Sequence, residues 1–111
     1  MPSISSQQRK FAKLIEKLLH CIHSNGWECT LGECLRTPEQ QEIYLKSGKS
    51  KIVDSKHLNK LAIDINLFIN GEFTTNEHYY RKLGDFWRSL DSECISGSDW
   101  NWDFNHFQLG R

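Results

Sequence analysis

The chain has 111 residues, which leaves room for one domain spanning 1–111 and no second core. Hydrophobic residues make up 38% of it and aromatics 12%, enough for a modest core and too many for a disordered chain. Lys and Arg number 14 and Asp and Glu number 14, so the zero net charge excludes the basic excess of a general nucleic-acid binder.

Residues 6–24 predict an amphipathic helix, because Phe11, Leu14, Ile15, Leu18, Leu19 and Ile22 recur at the spacing that makes one face apolar. Asn25-Gly26 ends it, since Gly enters the left-handed conformation of a helix C-cap at low cost. Charged residues interrupt the apolar positions of this N-terminal stretch, unlike the apolar core of a secretion signal. No segment approaches the roughly 18–20 apolar residues of a membrane span. The expectation is therefore synthesis in the cytoplasm without a signal peptide and no integral membrane segment. Thiols stay reduced there, so Cys21, Cys29, Cys34 and Cys94 are expected as free, buried or half-buried cysteines. The Cys29-x4-Cys34 spacing is a poor match to structural zinc sites.

Trp27 to Leu35 reads as a short strand. In Leu35-Arg36-Thr37-Pro38-Glu39-Gln40, Thr37 suits an N-cap, Pro38 a first helical position and Gln40 the closing of a capping box. That predicts a helix from Pro38 to about Ser47, stopped by Gly48. Lys46, Lys49, Lys51, Lys56 and Lys60 face a single acid, Asp54, and read as an exposed loop. Such a loop is either a solvated surface or an attractor for an anionic substrate.

Residues 62–69 give the clearest strand: Ile63, Ile65, Leu67 and Ile69 alternate onto one face, and Ala62, Asp64, Asn66 and Phe68 onto the other. Asn70-Gly71 signals a hairpin turn. A second helix, near Asn76 to Leu90, sets Tyr80, Leu83, Trp87 and Leu90 along one stripe, and a Ser/Gly-containing turn follows. In the closing segment, residues 106–109 suit a strand with Phe107 and Leu109 inward and His106 and Gln108 on the opposite side.

Two polar clusters stand out. In the first, His57 is followed by Asp64, a carboxylate in the middle of the most apolar strand, which is costly to bury unless paired, hydrogen-bonded or bound to a metal. The second, Asp103-Phe104-Asn105-His106, adds another acid and another imidazole. Two His and one carboxylate make a sensible ligand set for catalytic zinc, and a further carboxylate can handle the protons of hydrolysis. Residue types alone more readily allow an exposed His57, a capping Asp64 and a satisfied core His106.

A resemblance favours the metal. Ser55-x-His57-x6-Asp64, within SKHLNKLAID, resembles the S-x-H-x-x-G-x-A-x-D motif of the M15 zinc peptidases. These are the D-alanyl-D-alanine carboxypeptidases and the phage L-alanyl-D-glutamate endopeptidases that cut peptidoglycan stem peptides. Asp103-x-x-His106-Phe107 is similar to their [DE]-x-x-H motif, Asp99-Trp100 to the G-x-D-W element of the phage enzymes, and the Arg36-to-Gln40 segment to R-[ST]-x-x-x-Q. These elements keep the family order and cover residues 35–109. Two positions depart from the pattern: Lys60 replaces the glycine between His and Asp, and Gln108 stands where many relatives have Glu. Lys60 implies an altered loop or a residue in an unusual backbone conformation.

The resemblance implies Zn²⁺ held by His57, Asp64 and His106, with Asp103 as general base and then general acid. It implies Arg36 beside the scissile carbonyl. Ser55 is expected to steady the His57 loop and Gln108 to act behind the ligands, while Gln40 is a capping residue or a substrate contact. Trp100 and Trp102 are expected as core or cleft wall. The implied fold is α+β: a small antiparallel sheet carrying Arg36, Asp64 and His106, backed by two or three helices, with zinc in an open cleft on the sheet. The implied function is a peptidoglycan hydrolase, foremost an L-alanyl-D-glutamate endopeptidase acting as a phage or prophage endolysin on the cell wall after release. Its partner would be the peptidoglycan stem peptide, with no nucleic acid, and a monomer is expected. The alternatives are a D,D-carboxypeptidase or dipeptidase of the same family and a catalytically inactive, zinc-containing binding module.

Overall fold

The computed structural model describes residues 3–32, 34 and 60–110. The helix expected over Pro38 to Ser47, most of the lysine-rich stretch, and the expected site residues Arg36, Gln40, Ser55 and His57 lie outside the described residues.

Helix α1 (Ile4–Ser24) starts where the Ser3 hydroxyl accepts the Ser6 amide at 3.0 Å. It buries Phe11, Leu14, Leu18 and Ile22, the stripe that the sequence spacing marks. Strand β1 (Glu28–Leu31) is shorter than the sequence implies, and strand β2 (Ala62–Ile69) has the predicted bounds. Asn70 and Gly71, both at positive φ, turn β2 directly into β3 (Glu72–Phe73), the geometry of a type I′ hairpin. Helix α2 (Glu77–Leu90) is capped by the Asn76 side chain, which accepts the His78 amide at 3.0 Å.

After α2 the chain does not merely turn. It forms strand β4 (Cys94–Ser96) and a 3-10 helix (Gly97–Trp100) before strand β5 (His106–Leu109). Three residues are too few to show a period of two, so β4 is defined by its partner, with Cys94, Ile95 and Ser96 opposite Leu109, Gln108 and Phe107.

The sheet is antiparallel with the order β1-β2-β5-β4, and β3 adds to β2 beyond the end of β5. One face carries Ile63, Ile65, Leu67, Phe107 and Leu109, and both helices pack on it. Trp87 of α2 is fully buried there, with its ring edge-on to Phe11 and Phe107. Its indole N–H is shared between the carbonyls of Ile95 and Gln108, each at 3.1 Å, which fastens α2 to β4 and β5. The fold is thus a small α+β arrangement, with the apolar face of the sheet covered and the opposite face left for polar residues. None of the helices in the described residues is long and apolar enough to cross a membrane. All four cysteines are free, and burial pushes the Cys94 thiol up to about 12.

Candidate active site at the Asp64 and His106 strand pair

The register of β2 against β5 sets Asp64 directly opposite His106 and Ala62 opposite Gln108. All four lie on the face turned away from the core, because they alternate with Ile63, Ile65, Phe107 and Leu109. The strand pairing thereby joins two clusters that are 39 or more positions apart in the chain.

His106 is 3% exposed, and its two ring nitrogens have different surroundings. Nδ1 lies 3.4 Å from Asp64 Oδ1 and 3.8 Å from Asp103 Oδ2. Nε2 lies 2.7 Å from Gln108 Oε1, and the Gln108 amide nitrogen donates to the Gly110 carbonyl at 2.7 Å. That second bond orients the amide, so its oxygen faces the ring and accepts the Nε2–H. In the neutral ring, Nδ1 then presents its lone pair to the carboxylates. Burial disfavours the imidazolium, but the hydrogen bonds to Asp64 and Gln108 and the charges of Asp103 and Asp64 outweigh it and raise the His106 pKa.

Asp103 reaches this position from a tight turn. Its φ is +54°, in the left-handed region that Asp enters more readily than most residues, and its carbonyl accepts the His106 amide at 3.0 Å. Gly97 makes the turn possible: a Cβ there would collide with the Asp103 carbonyl oxygen. The Gly97-x-Asp99-Trp100 element is therefore structural in this chain. Asp99 accepts the Ser96 amide at 3.2 Å in a capping box and pairs with Arg88, which also binds Asp85. Trp100 faces the site, its ring centroid 5.3 Å from that of His106, and Trp102 packs beside it at 6.3 Å. Both are half-buried.

On the other side, Gly32 donates its amide to the Asp64 carbonyl at 2.7 Å. A Cβ at Gly32 would sit 3.1 Å from both the Cβ and the backbone oxygen of Asp64, so the glycine permits this close approach to the strand at Asp64. Lys60, where the related motif has glycine, has φ of +56°, the left-handed conformation; the loop before it lies outside the described residues.

Among the described residues no three His, Cys, Asp or Glu side chains form a group that could hold a metal. Asp64 and His106 are two of the three residues expected as ligands, and the third, His57, lies outside the described residues. The donor chemistry suits zinc: an imidazole nitrogen with its lone pair directed at a carboxylate, and its other N–H fixed by a carbonyl oxygen. Sequence reasoning did not single out Gly97, Gly32 or Asn105, whose roles come from close approaches across the fold.

No protein-family model matches the chain, and no curated protein matches it either. Among solved structures, it is similar to the Serratia marcescens L-Ala D-Glu endopeptidase ChiX, with a TM-score of 0.62 and 26% sequence identity. The match covers 73% of this chain and 65% of that one, so the chain spans just under two thirds of the length of ChiX.

Proposed function

We propose that this chain is a zinc-dependent peptidase that cleaves peptidoglycan stem peptides, of the L-alanyl-D-glutamate endopeptidase type. The observation that carries the reading is the convergence of Asp64, His106 and Asp103 on one end of a strand pair. The fold around them is similar to that of an enzyme named for this activity. Asp64, His106 through Nδ1, and by motif His57 would hold the zinc. The chemistry that zinc supplies when bound is Lewis acidity toward a carbonyl and acidification of water.

The chain's own groups account for the proton traffic. Asp103 is 30% exposed at the side chain, near enough to His106 to share its site and open enough to meet water. As general base it takes a proton from the attacking water, whose oxygen bonds to the scissile carbonyl carbon. As the C–N bond breaks, Asp103 passes that proton to the leaving amine. Arg36, in the role its motif implies, would stabilise the negative charge that develops on the carbonyl oxygen. Trp100 and Trp102 would shield one side of the cleft from water. By the same motifs, we place the enzyme as a phage or prophage endolysin that reaches the wall after release.

Metal analysis combined with mass spectrometry of digested peptidoglycan tests the reading. The purified chain should bind one zinc and release stem peptides cut after L-Ala. Asp103→Asn should keep zinc and lose turnover by about 10²-fold or more, whereas His106→Ala should lose the zinc itself. Release of terminal D-Ala would reassign the chain to the D,D-carboxypeptidases. Stoichiometric zinc with no cleavage of any stem peptide would leave a binding module.

A further inference from the structure

One edge of β2 changes partner along its length. Residues 62–64 pair with β5 and residues 68–69 with β3, and between them neither strand reaches the edge. The backbone groups there are satisfied by other means. The Ile65 amide donates to the Asn105 carbonyl at 2.8 Å, and the Leu67 amide to the Tyr80 hydroxyl at 3.0 Å. The gap is a pocket of about 240 Å³ lined by Asn66, Phe73, Thr75, Tyr80, Phe104 and Asn105.

The two amide side chains of this pocket are joined to each other, while the Tyr80 hydroxyl is engaged by the Leu67 amide and the Thr74 carbonyl. Asn105 Nδ2 donates to Asn66 Oδ1 at 3.1 Å, joining the strand that carries Asp64 to the residue before His106. The bond uses the Asn66 oxygen and an Asn105 N–H, which leaves the Asn66 amide nitrogen as a donor and the Asn105 amide oxygen as an acceptor in the pocket lining. One extended residue offers the complementary pair, because its own C=O and N–H point to the same edge of the chain. The aromatic walls suit the apolar part of a neighbouring residue, and Phe73 at the rim is 56% exposed. Asn66 shares a strand face with Asp64 two residues away, a separation of about 7 Å, or roughly two residues of an extended peptide.

Building on the peptidase reading above, we propose that this pocket is a substrate subsite. It would hold one extended residue of the stem peptide about two residues from the scissile bond, with Asn66 donating to that residue's C=O and Asn105 accepting its N–H. A subsite of this kind selects peptide length rather than side-chain charge.

The test uses the full chain loaded with zinc, a stem tetrapeptide, and a shorter peptide that spans the scissile bond without reaching the pocket. Asn66→Ala and Asn105→Ala should each raise KM for the long peptide by about three- to tenfold and leave the short peptide and the zinc content unchanged. Phe73→Ala, at a position 56% exposed whose ring meets only Phe68 among the described aromatic contacts, should act in the same direction, with unfolding measured alongside to separate loss of that contact. In the wild type, the side-chain NH2 resonances of Asn66 and Asn105 should shift on adding the long peptide. Equal kinetics for wild type and all three variants, or equal losses on both peptides, would overturn the subsite and leave the peptidase reading intact. Shifts at both Asn side chains with no cleavage of either peptide would support the subsite and remove the peptidase.

Discussion

The buried ring of His106 is held from behind by Gln108, whose amide oxygen lies 2.7 Å from Nε2 and whose amide nitrogen is anchored on the Gly110 carbonyl. The two side chains project from one face of β5 two residues apart, so a single short strand carries both a candidate ligand and the group that fixes its tautomer. Gln does this without adding charge, where a Glu would bring a carboxylate into the same buried place.

Removing the Gln108 acceptor should therefore weaken metal binding without touching a ligand. Gln108→Leu should lower zinc affinity by about 10- to 100-fold, measured by competition with a chromogenic chelator. Gln108→Glu retains an acceptor and should lose less. At a pH above the raised His106 pKa, long-range ¹⁵N spectra of the histidines in the metal-free protein should show the Nε2–H form for wild type and a mixture for Gln108→Leu. Wild-type zinc affinity in Gln108→Leu would reduce Gln108 to packing.

Much of this arrangement was legible in the sequence, because period-two alternation fixes which face a residue occupies. Ile63, Ile65 and Leu67 mark the core side of β2, so Asp64 had to lie opposite, and Phe107 and Leu109 do the same for His106. Contacts made by tertiary approach leave no such trace. The Asn66–Asn105 bond spans 39 positions, and β4 is too short to show a pattern. Lys60 lies between these cases. The missing motif glycine pointed to either a changed loop or an unusual conformation; φ of +56° shows the unusual conformation, and the loop itself lies outside the described residues.

That conformation makes Lys60→Gly a stabilising change. A non-Gly residue in the left-handed region costs roughly 1–2 kcal/mol, part of which is offset by the extra freedom glycine has when unfolded. The net gain should be about 0.5–1 kcal/mol, read as a Tm increase of a few degrees. Lys60→Ala keeps the same backbone demand and should gain nothing, which separates the conformational effect from loss of the side-chain charge. A fall in Tm for Lys60→Gly would show that the lysine side chain itself contributes to the fold.

Asp91 gives the fold an acid-sensitive tie between α1 and the end of α2. Its carboxylate accepts the Glu93 amide at 2.9 Å and meets Lys10 at 2.9 Å, which together lower its pKa, the backbone hydrogen bond most. A depressed carboxylate pKa contributes stability that is present above the unfolded value, about 3.9, and is lost as pH falls through the folded one. Asp91→Asn should therefore lower Tm modestly at pH 7, by no more than an exposed ion pair allows. Near pH 2 it should match the wild type. An equal Tm difference at both pH values would mean that the carboxylate charge is not responsible.

Gly97 should be the least replaceable residue near the site outside the candidate ligands. A methyl group there meets the Asp103 backbone oxygen, which cannot rotate away as a side chain can. Gly97→Ala must push the turn at Asp103 outward, and the turn holds both the candidate base and the amide bond that starts β5. Overpacking of this kind costs about 1–3 kcal/mol, measurable by urea unfolding. The damage to turnover should be larger than the loss of folded protein, because an outward shift of Asp103 misplaces the proton acceptor. Gly84→Ala is the informative comparison. Its Cβ would meet the hydroxyls of Ser96 and Ser98, which can rotate, so it should lose stability while keeping activity per folded molecule. If Gly97→Ala turned over peptide at the wild-type rate, the position of Asp103 would not matter to the chemistry, and its role as the base would be lost with it.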